Sequence, residues 1–308
     1  MRRAMRRRQE VSVVMKKIVL FSILLLPALP AVAEEIDRTI DAGAKGRVDI
    51  YNTAGSVKVE GWDTNKVRVT GRLGQEVDEF KFERNGDTVT VEVKAKKGRS
   101  GGHNFSSDIV VQVPRDSSIE VATVSADIDV KGVRGEQELQ AVSGDIETQA
   151  FDRDIEAESV SGDIDVRGDG KAAECDLVSV SGDIFAENLG GSIDFESVSG
   201  DVVIAGGSFD RVDAETVNGD IEFKGVLRKG GKFDAETVNG SVDIDFVGNV
   251  SAEFRIETFN GRIRNCFGPE AQRVSKYAPG WELNFTEGGG EGRVSVETLN
   301  GGVTFCKE

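Results

Sequence analysis

The most regular reactive groups in this sequence are carboxylates that recur beside a repeated glycine. The aspartates directly after that glycine are Asp145, Asp163, Asp183, Asp201 and Asp220. The glutamates four residues before it are Glu158, Glu196, Glu215, Glu236, Glu257 and Glu297. If the repeats stack about 4.8 Å apart, adjacent carboxylates repel by about 1 kcal/mol even in water. Carboxylate oxygens suit hard cations, so the aspartates are a candidate ladder for weak Ca²⁺ binding. The alternative is a solvated acidic face whose aspartates bond to turn amides.

Cysteine and histidine are the other side chains with reactive potential. Cys266 and Cys306 each stand five residues after the glycine of their unit, so stacking of those units would bring them within disulfide distance. The alternative is two unpaired thiols. We interpret the remaining Cys175 as a small buried residue. The single histidine, His103, lies in a glycine-rich stretch without an evident partner, so we expect no catalytic site.

A repeat that reads Thr/Ser-Val-Ser/Asn-Gly-Asp-Ile must position these groups. Its glycines are Gly144, Gly162, Gly182, Gly200, Gly219, Gly240, Gly261 and Gly301, and Ala126 takes the first equivalent place. β-Branched aliphatic residues stand two positions after the glycine, from Ile128 to Val303, and apolar residues stand two positions before it, from Val124 to Leu299. We expect both columns to line the core, with a tight turn between them that glycine permits.

This spacing predicts an all-β protein, a parallel β-solenoid of about nine repeats of 18–21 residues. Stacking favours such a repeat because it places each position over its own copy. The alternative is a meander of β-hairpins that turn at Asn-Gly. We expect residues 34–120 to form an N-terminal β-rich cap with a diverged repeat near Tyr51 and a hairpin at Asn85-Gly86. Residues 121–308 would form the solenoid, with an inserted arm at 267–292 before the last repeat.

Residues 1–33 are typical of a signal peptide. A positive start, an apolar run at 18–29 and small residues ending at Ala33 predict cleavage before Glu34. We hypothesise that translation starts at Met15. The segment holds seven basic residues and one acid, so the remainder carries a net charge of −22, against −16 for the whole chain. That charge repels nucleic acid, and no later stretch is apolar and long enough to be a transmembrane segment.

The repeated Thr-Val-Ser-Gly-Asp-Ile units, the preceding Val113-Pro114-Arg115-Asp116 and the signal peptide resemble the bacterial putative-adhesin domain of unknown function, a β-strand-repeat family. The resemblance covers roughly residues 48–305. It implies a β-solenoid-like fold, an envelope location and no catalytic residues.

We therefore expect a non-catalytic exported envelope protein of the periplasm or cell surface. It would be an adhesin-like binding or scaffold module that presents acidic faces to an envelope protein or glycan. The alternatives are a carbohydrate-active β-helix enzyme of the periplasm and a partner protein in envelope stress sensing.

Overall fold

The fold is built from strands and turns. The computed structural model describes residues 34–96, 106–171, 173–277 and 279–307, and these contain no helix. The predicted signal peptide and His103 lie outside the described residues. The described residues form one compact unit. The protein is all-β and solenoid-like, as the repeat predicts. Within the described ranges, no helix has the length and apolar character that crossing a membrane requires.

Strands in parallel and antiparallel pairs cover the N-terminal edge of the stack. The strands here are β1 (Glu34–Asp41), β2 (Arg47–Trp62), β3 (Lys66–Leu73), β4 (Val77–Asn85), β5 (Thr88–Ala95), β6 (Ser107–Pro114) and β7 (Ser118–Lys131). Strand β2 lies parallel to β7 with Gly55 opposite Ala126, so it is the diverged repeat. It also pairs in parallel with β5 and β6. The predicted hairpin joins β4 to β5, while β3 covers β6 and β1 covers β3. The first repeat therefore has no bare edge there.

The central repeats stack in parallel with like residues opposite one another. Their strands are β8 (Gln137–Ser143), β9 (Ile146–Ala150), β10 (Ile155–Ser161), β11 (Ile164–Gly168), β12 (Ala173–Ser181), β13 (Ile184–Ser199), β14 (Val202–Asn218), β15 (Ile221–Asn239) and β16 (Val242–Phe246). Glu196 pairs with Glu215, and Glu215 with Glu236. A hairpin meander would pair successive units antiparallel, so that alternative is wrong for these units.

The order of the last repeats in space differs from their order in the sequence. The strands are β17 (Ala252–Thr258), β18 (Ile263–Asn265), β19 (Gln272–Arg273), β20 (Trp281–Glu287), β21 (Gly292–Asn300) and β22 (Val303–Lys307). Strand β21 pairs in parallel with β15 on one side and with β17 on the other. The C-terminal repeat is thus inserted between two earlier ones. The arm strand β20 runs antiparallel along β17 and covers that end of the stack.

The three cysteines occupy two different environments. Cys266 and Cys306 lie with their Cα atoms 4.9 Å apart and their sulfur atoms bonded. This link joins two repeats that are neighbours in space although 40 residues separate the two cysteines along the chain. Cys175 is free and buried, and burial raises the pKa of its thiol to about 12. A thiol that stays protonated is a packing group rather than a nucleophile.

Only one of the two apolar columns fills the core. The residues two positions after the glycine are buried from Ile128 to Val303, except that Ile263 is partly exposed. The residues two positions before it, from Val124 to Leu299, are 39–51% exposed. The expectation that this second column lines the core is therefore wrong.

The physical reason is the alternation of strand side chains. A buried hydroxyl residue stands one position before the exposed column in eight of nine cases, and Thr216 and Thr237 are examples. Each donates a hydrogen bond of 3.1 Å to a glycine carbonyl of the preceding repeat. Because successive side chains point to opposite faces of a strand, an inward threonine requires the next residue to point outward.

The stacked glycines give the first prediction. A Cβ atom added to Gly219 would lie 1.9 Å from the carbonyl oxygen of Gly200, a backbone atom held in the next turn. We expect Gly219→Ala to lower the free energy of unfolding by about 2 kcal/mol or more. The matched control is Gly289→Ala, because the nearest atom there is a side-chain carbon of Glu291 at 3.5 Å. Urea denaturation measures both, and equal stability of the two variants would contradict the glycine contact.

Candidate functional site

A continuous line of exposed apolar side chains crosses the sheet. We call it the apolar ladder; in spatial order it comprises Val124, Val142, Val160, Val180, Val198, Val217, Val238, Leu299 and Phe259. The in-register pairing of the strands makes the ladder continuous, since every member stands over its own copy. Leu299 lies between Val238 and Phe259 because β21 lies between β15 and β17.

Glutamates form a second line beside the apolar ladder, on the same outward face. We call it the glutamate ladder; in spatial order it comprises Glu196, Glu215, Glu236, Glu297 and Glu257, each paired with the next. Burial raises the pKa of Glu215, and the charges of Glu236 and Asp213 raise it further. The pKa of Asp194 is raised for the same reasons, with Asp213 the main charge. This face therefore concentrates negative charge that its own residues do not fully neutralise.

The glutamate ladder and the part of the apolar ladder from Val180 to Phe259 line a groove of about 720 Å³. Buried hydroxyl residues such as Thr216 lie between the ladders at its floor. The inserted arm completes the lining near Phe259 through Val274, Pro279 and Trp281. Strand β20 holds Trp281 beside β17, and the guanidinium carbon of Arg273 lies 5.2 Å from the centre of the Trp281 ring. The arm thus gives the groove a defined end.

Stacked asparagine amides run along the other side of the apolar ladder. Asn239 donates to Asn218 at 2.8 Å, Asn300 donates to Asn239 at 2.8 Å, and Asn260 donates to Asn300 at 2.9 Å. These bonds follow the spatial order of the repeats rather than the order of the chain. They fix the turn beside the ladder, so the apolar side chains stand on a rigid surface.

The Toastrack DUF4097 family matches residues 46–305 of this chain. The protein belongs to this family. The sequence-based assignment to a bacterial putative-adhesin domain of unknown function is thereby confirmed. No curated protein matches the sequence.

Several solved structures are similar to this Toastrack chain at low sequence identity. A putative adhesin from Bacteroides fragilis is 14% identical over 90% of this chain and 99% of that one, with a TM-score of 0.49. A putative lipid binding protein from Parabacteroides distasonis is 17% identical over 88% and 96%, with a TM-score of 0.43. A putative cell adhesion protein from Clostridium sporogenes is 10% identical over 90% and 100%, with a TM-score of 0.24.

The predicted metal-binding aspartates of the Toastrack repeat have a structural role. Each accepts a hydrogen bond, through its Oδ1 atom, from the backbone amide of the corresponding residue in the next repeat. The donors to Asp145, Asp163, Asp183, Asp201 and Asp220 are the amides of Asp163, Asp183, Asp201, Asp220 and Ser241, at 2.7–3.0 Å. Within the described ranges, no three His, Cys, Asp or Glu side chains are grouped to hold a metal ion. The weak Ca²⁺ ladder stays a prediction.

A second cavity of about 390 Å³ lies nearer the N-terminus, and it is acidic. Its lining includes Glu138, Glu156 and Asp176. Burial raises the pKa of Glu156, and neighbouring carboxylates raise it further. Arg47 lines the same cavity and forms ion pairs with Glu138 at 3.3 Å and with Glu120. The charge there is partly compensated from within the chain.

The aspartate ladder gives the second prediction. Asp183→Ala removes an acceptor from the amide of Asp201, so we expect the free energy of unfolding to fall by about 1 kcal/mol. Asp183→Asn retains a side-chain oxygen that can accept this hydrogen bond, so its free energy of unfolding should fall much less. Urea denaturation compares the two variants. A stabilisation of the parent protein by millimolar Ca²⁺ that Asp183→Asn abolishes would instead favour the cation ladder.

The third prediction concerns pH. Carboxyl groups whose pKa is raised in the folded protein are Glu156, Asp165, Asp194, Glu215 and Asp234. They bind more protons when folded, so the free energy of unfolding should rise as pH falls from 7 toward about 5. Asp37, Glu120, Asp169 and Glu291 have lowered pKa values, and their stabilisation is lost only at lower pH.

Urea denaturation at fixed ionic strength measures this profile. Glu215→Gln removes one of the raised carboxyl groups, so it should make the rise between pH 7 and 5 shallower. A free energy of unfolding that falls steadily from pH 7 to 5 would contradict the electrostatic interpretation.

Proposed function

We propose that this Toastrack protein is a non-catalytic, exported binding module of the bacterial envelope that holds its partner in the groove. The observation that carries the proposal is the exposure of the apolar ladder, whose members are 39–51% exposed. Soluble proteins rarely expose a continuous apolar surface unless it contacts something. An envelope protein or glycan in the periplasm or at the cell surface is the expected partner.

The outward direction of the ladder supports a role in binding. Because these side chains do not fill the core, polar residues could replace them without opening a cavity. The chain nevertheless places valine, leucine or phenylalanine at each of the nine positions. The ladder members that line the groove, from Val180 to Phe259, stand about 4.8 Å apart and so extend over about 24 Å. That length suits an extended partner rather than a small metabolite.

The groove chemistry supports binding rather than catalysis. The ionisable groups among the described residues that line it are glutamates at one register position, so they all lie on one side of the groove. Glycoside hydrolysis needs two carboxyl groups that flank the scissile bond. The groove hydroxyl of Thr216 donates to the carbonyl of Gly200 at 3.1 Å, so it is not held by a general base.

The fourth prediction tests the groove with two matched variants from one repeat. Val198 belongs to the apolar ladder, whereas Val203 points outward from the strand segment that follows the same glycine, Gly200. We expect Val198→Asp to reduce capture of envelope components by at least tenfold, since it places a charge on the apolar surface. Val203→Asp should leave capture unchanged. Quantitative pull-down from an envelope fraction compares both with the parent protein.

Thermal unfolding of both variants serves as the control, because both side chains point outward and neither change should unfold the protein. Binding that survives Val198→Asp as well as it survives Val203→Asp would show that the groove is not the binding surface.

A further inference from the structure

The groove combines an apolar surface with negative charge that is only partly compensated. Among the described residues that line it, none is lysine or arginine. The glutamates stand in direct register, so each carboxylate has a like charge as its neighbour. Arg255 pairs with Glu257 at 3.0 Å, at the far end of the line. A partner with cationic groups beside apolar ones would therefore relieve repulsion along the glutamate ladder while it covers the apolar ladder.

The spacing of the ladder selects the conformation of such a partner. The rungs are about 4.8 Å apart, an α-helix presents one face every 5.4 Å or so, and a strand repeats a face every ~6.7 Å. From Val180 to Phe259 there are five spacings in space, or about 24 Å. Over that distance a helix drifts out of register by ~3 Å, less than one rung, whereas a strand drifts by ~7 Å, more than one rung.

We propose that the groove binds a basic amphipathic α-helix of a partner polypeptide, laid along the apolar ladder with its lysines and arginines over the glutamates; this rests on the proposed binding role of the groove. About 16 residues of helix match the 24 Å between Val180 and Phe259. Trp281 and Pro279 close the groove beside Phe259, so the helix ends there.

Other occupants fit the charges less well. A second copy of this chain brings the same acidic surface, and residues 34–308 carry a net charge of −22. Anionic lipid headgroups are repelled in the same way. A neutral aliphatic chain would cover the valines but leave the carboxylates of Glu215 and Glu236 unpaired.

Two synthetic peptides of identical composition test the proposal. Both contain 16 leucine and lysine residues, but one repeats leucine with the helical period and the other alternates leucine with lysine. Fluorescence anisotropy measures their binding to the purified protein. We expect the helical-period peptide to bind at least tenfold more tightly and to weaken as salt is added. Equal affinities of the two peptides would overturn the proposal.

Variants of the acids locate the peptide. Glu215→Gln with Glu236→Gln should weaken the helical-period peptide by at least tenfold. The matched control is Glu222→Gln with Asp243→Asn, since this exposed acidic pair occupies adjacent repeats on the strand segment after the glycine. An equal effect of both pairs would show non-specific attraction and overturn the proposal. If envelope capture depends on Val198 but the peptide fails to bind, the helix proposal is wrong and the proposed binding role of the groove stands.

Discussion

Backbone hydrogen bonds between parallel strands place each residue about 4.8 Å from its own copy in the next repeat. That constraint favours side chains that attract their like. Valines pack on valines, asparagine amides donate to asparagine carbonyls, and glycines lie in contact in the turns. The same constraint penalises carboxylates. The aspartates offset this repulsion because each accepts a hydrogen bond from a backbone amide of the next repeat. Among the glutamates the repulsion remains, and together with burial it raises the pKa of Glu215.

A stack of parallel repeats must also end, because a bare strand edge would pair with other chains. Here the end is built by insertion of the C-terminal repeat, by strand β20 on β17, and by aromatic rings. The rings of Phe254 and Phe285 stack with centroids 4.5 Å apart, and Phe305 lies 5.8 Å from Phe254. Strand β20 begins at Trp281, which lines the groove. The structure that closes the stack therefore also closes the candidate site.

Spacing alone predicted much of this fold. The glycine register predicted the stacked units, the buried column from Ile128 to Val303, and the proximity of Cys266 to Cys306 that the structure contains. It did not predict that Val198 points outward. The turn at the glycine changes which residues of the alternation point inward, so the two strand segments have to be read separately. The available signal was the alternation of Ile193 and Phe195, which places Ser197 inward and Val198 outward. The insertion of β21 between β15 and β17 has no signal in a periodic sequence, because each repeat fits equally well on any other.

Two physical explanations could account for the apolar ladder, and its last two residues, Leu299 and Phe259, distinguish between them. Outward valines can serve strand propensity alone, since β-branched residues favour extended backbone. Threonine is also β-branched, so it would favour the strand equally well at an exposed position. Leu299 gains nothing from β-branching, and Phe259 stands 49% exposed in the groove that Trp281 and Pro279 close. Phe259 also lies beyond the end of β17 at Thr258, so strand propensity explains neither of these large side chains, whereas a contact surface explains both. The negative charge on the adjacent glutamates then favours a partner surface that carries positive charge.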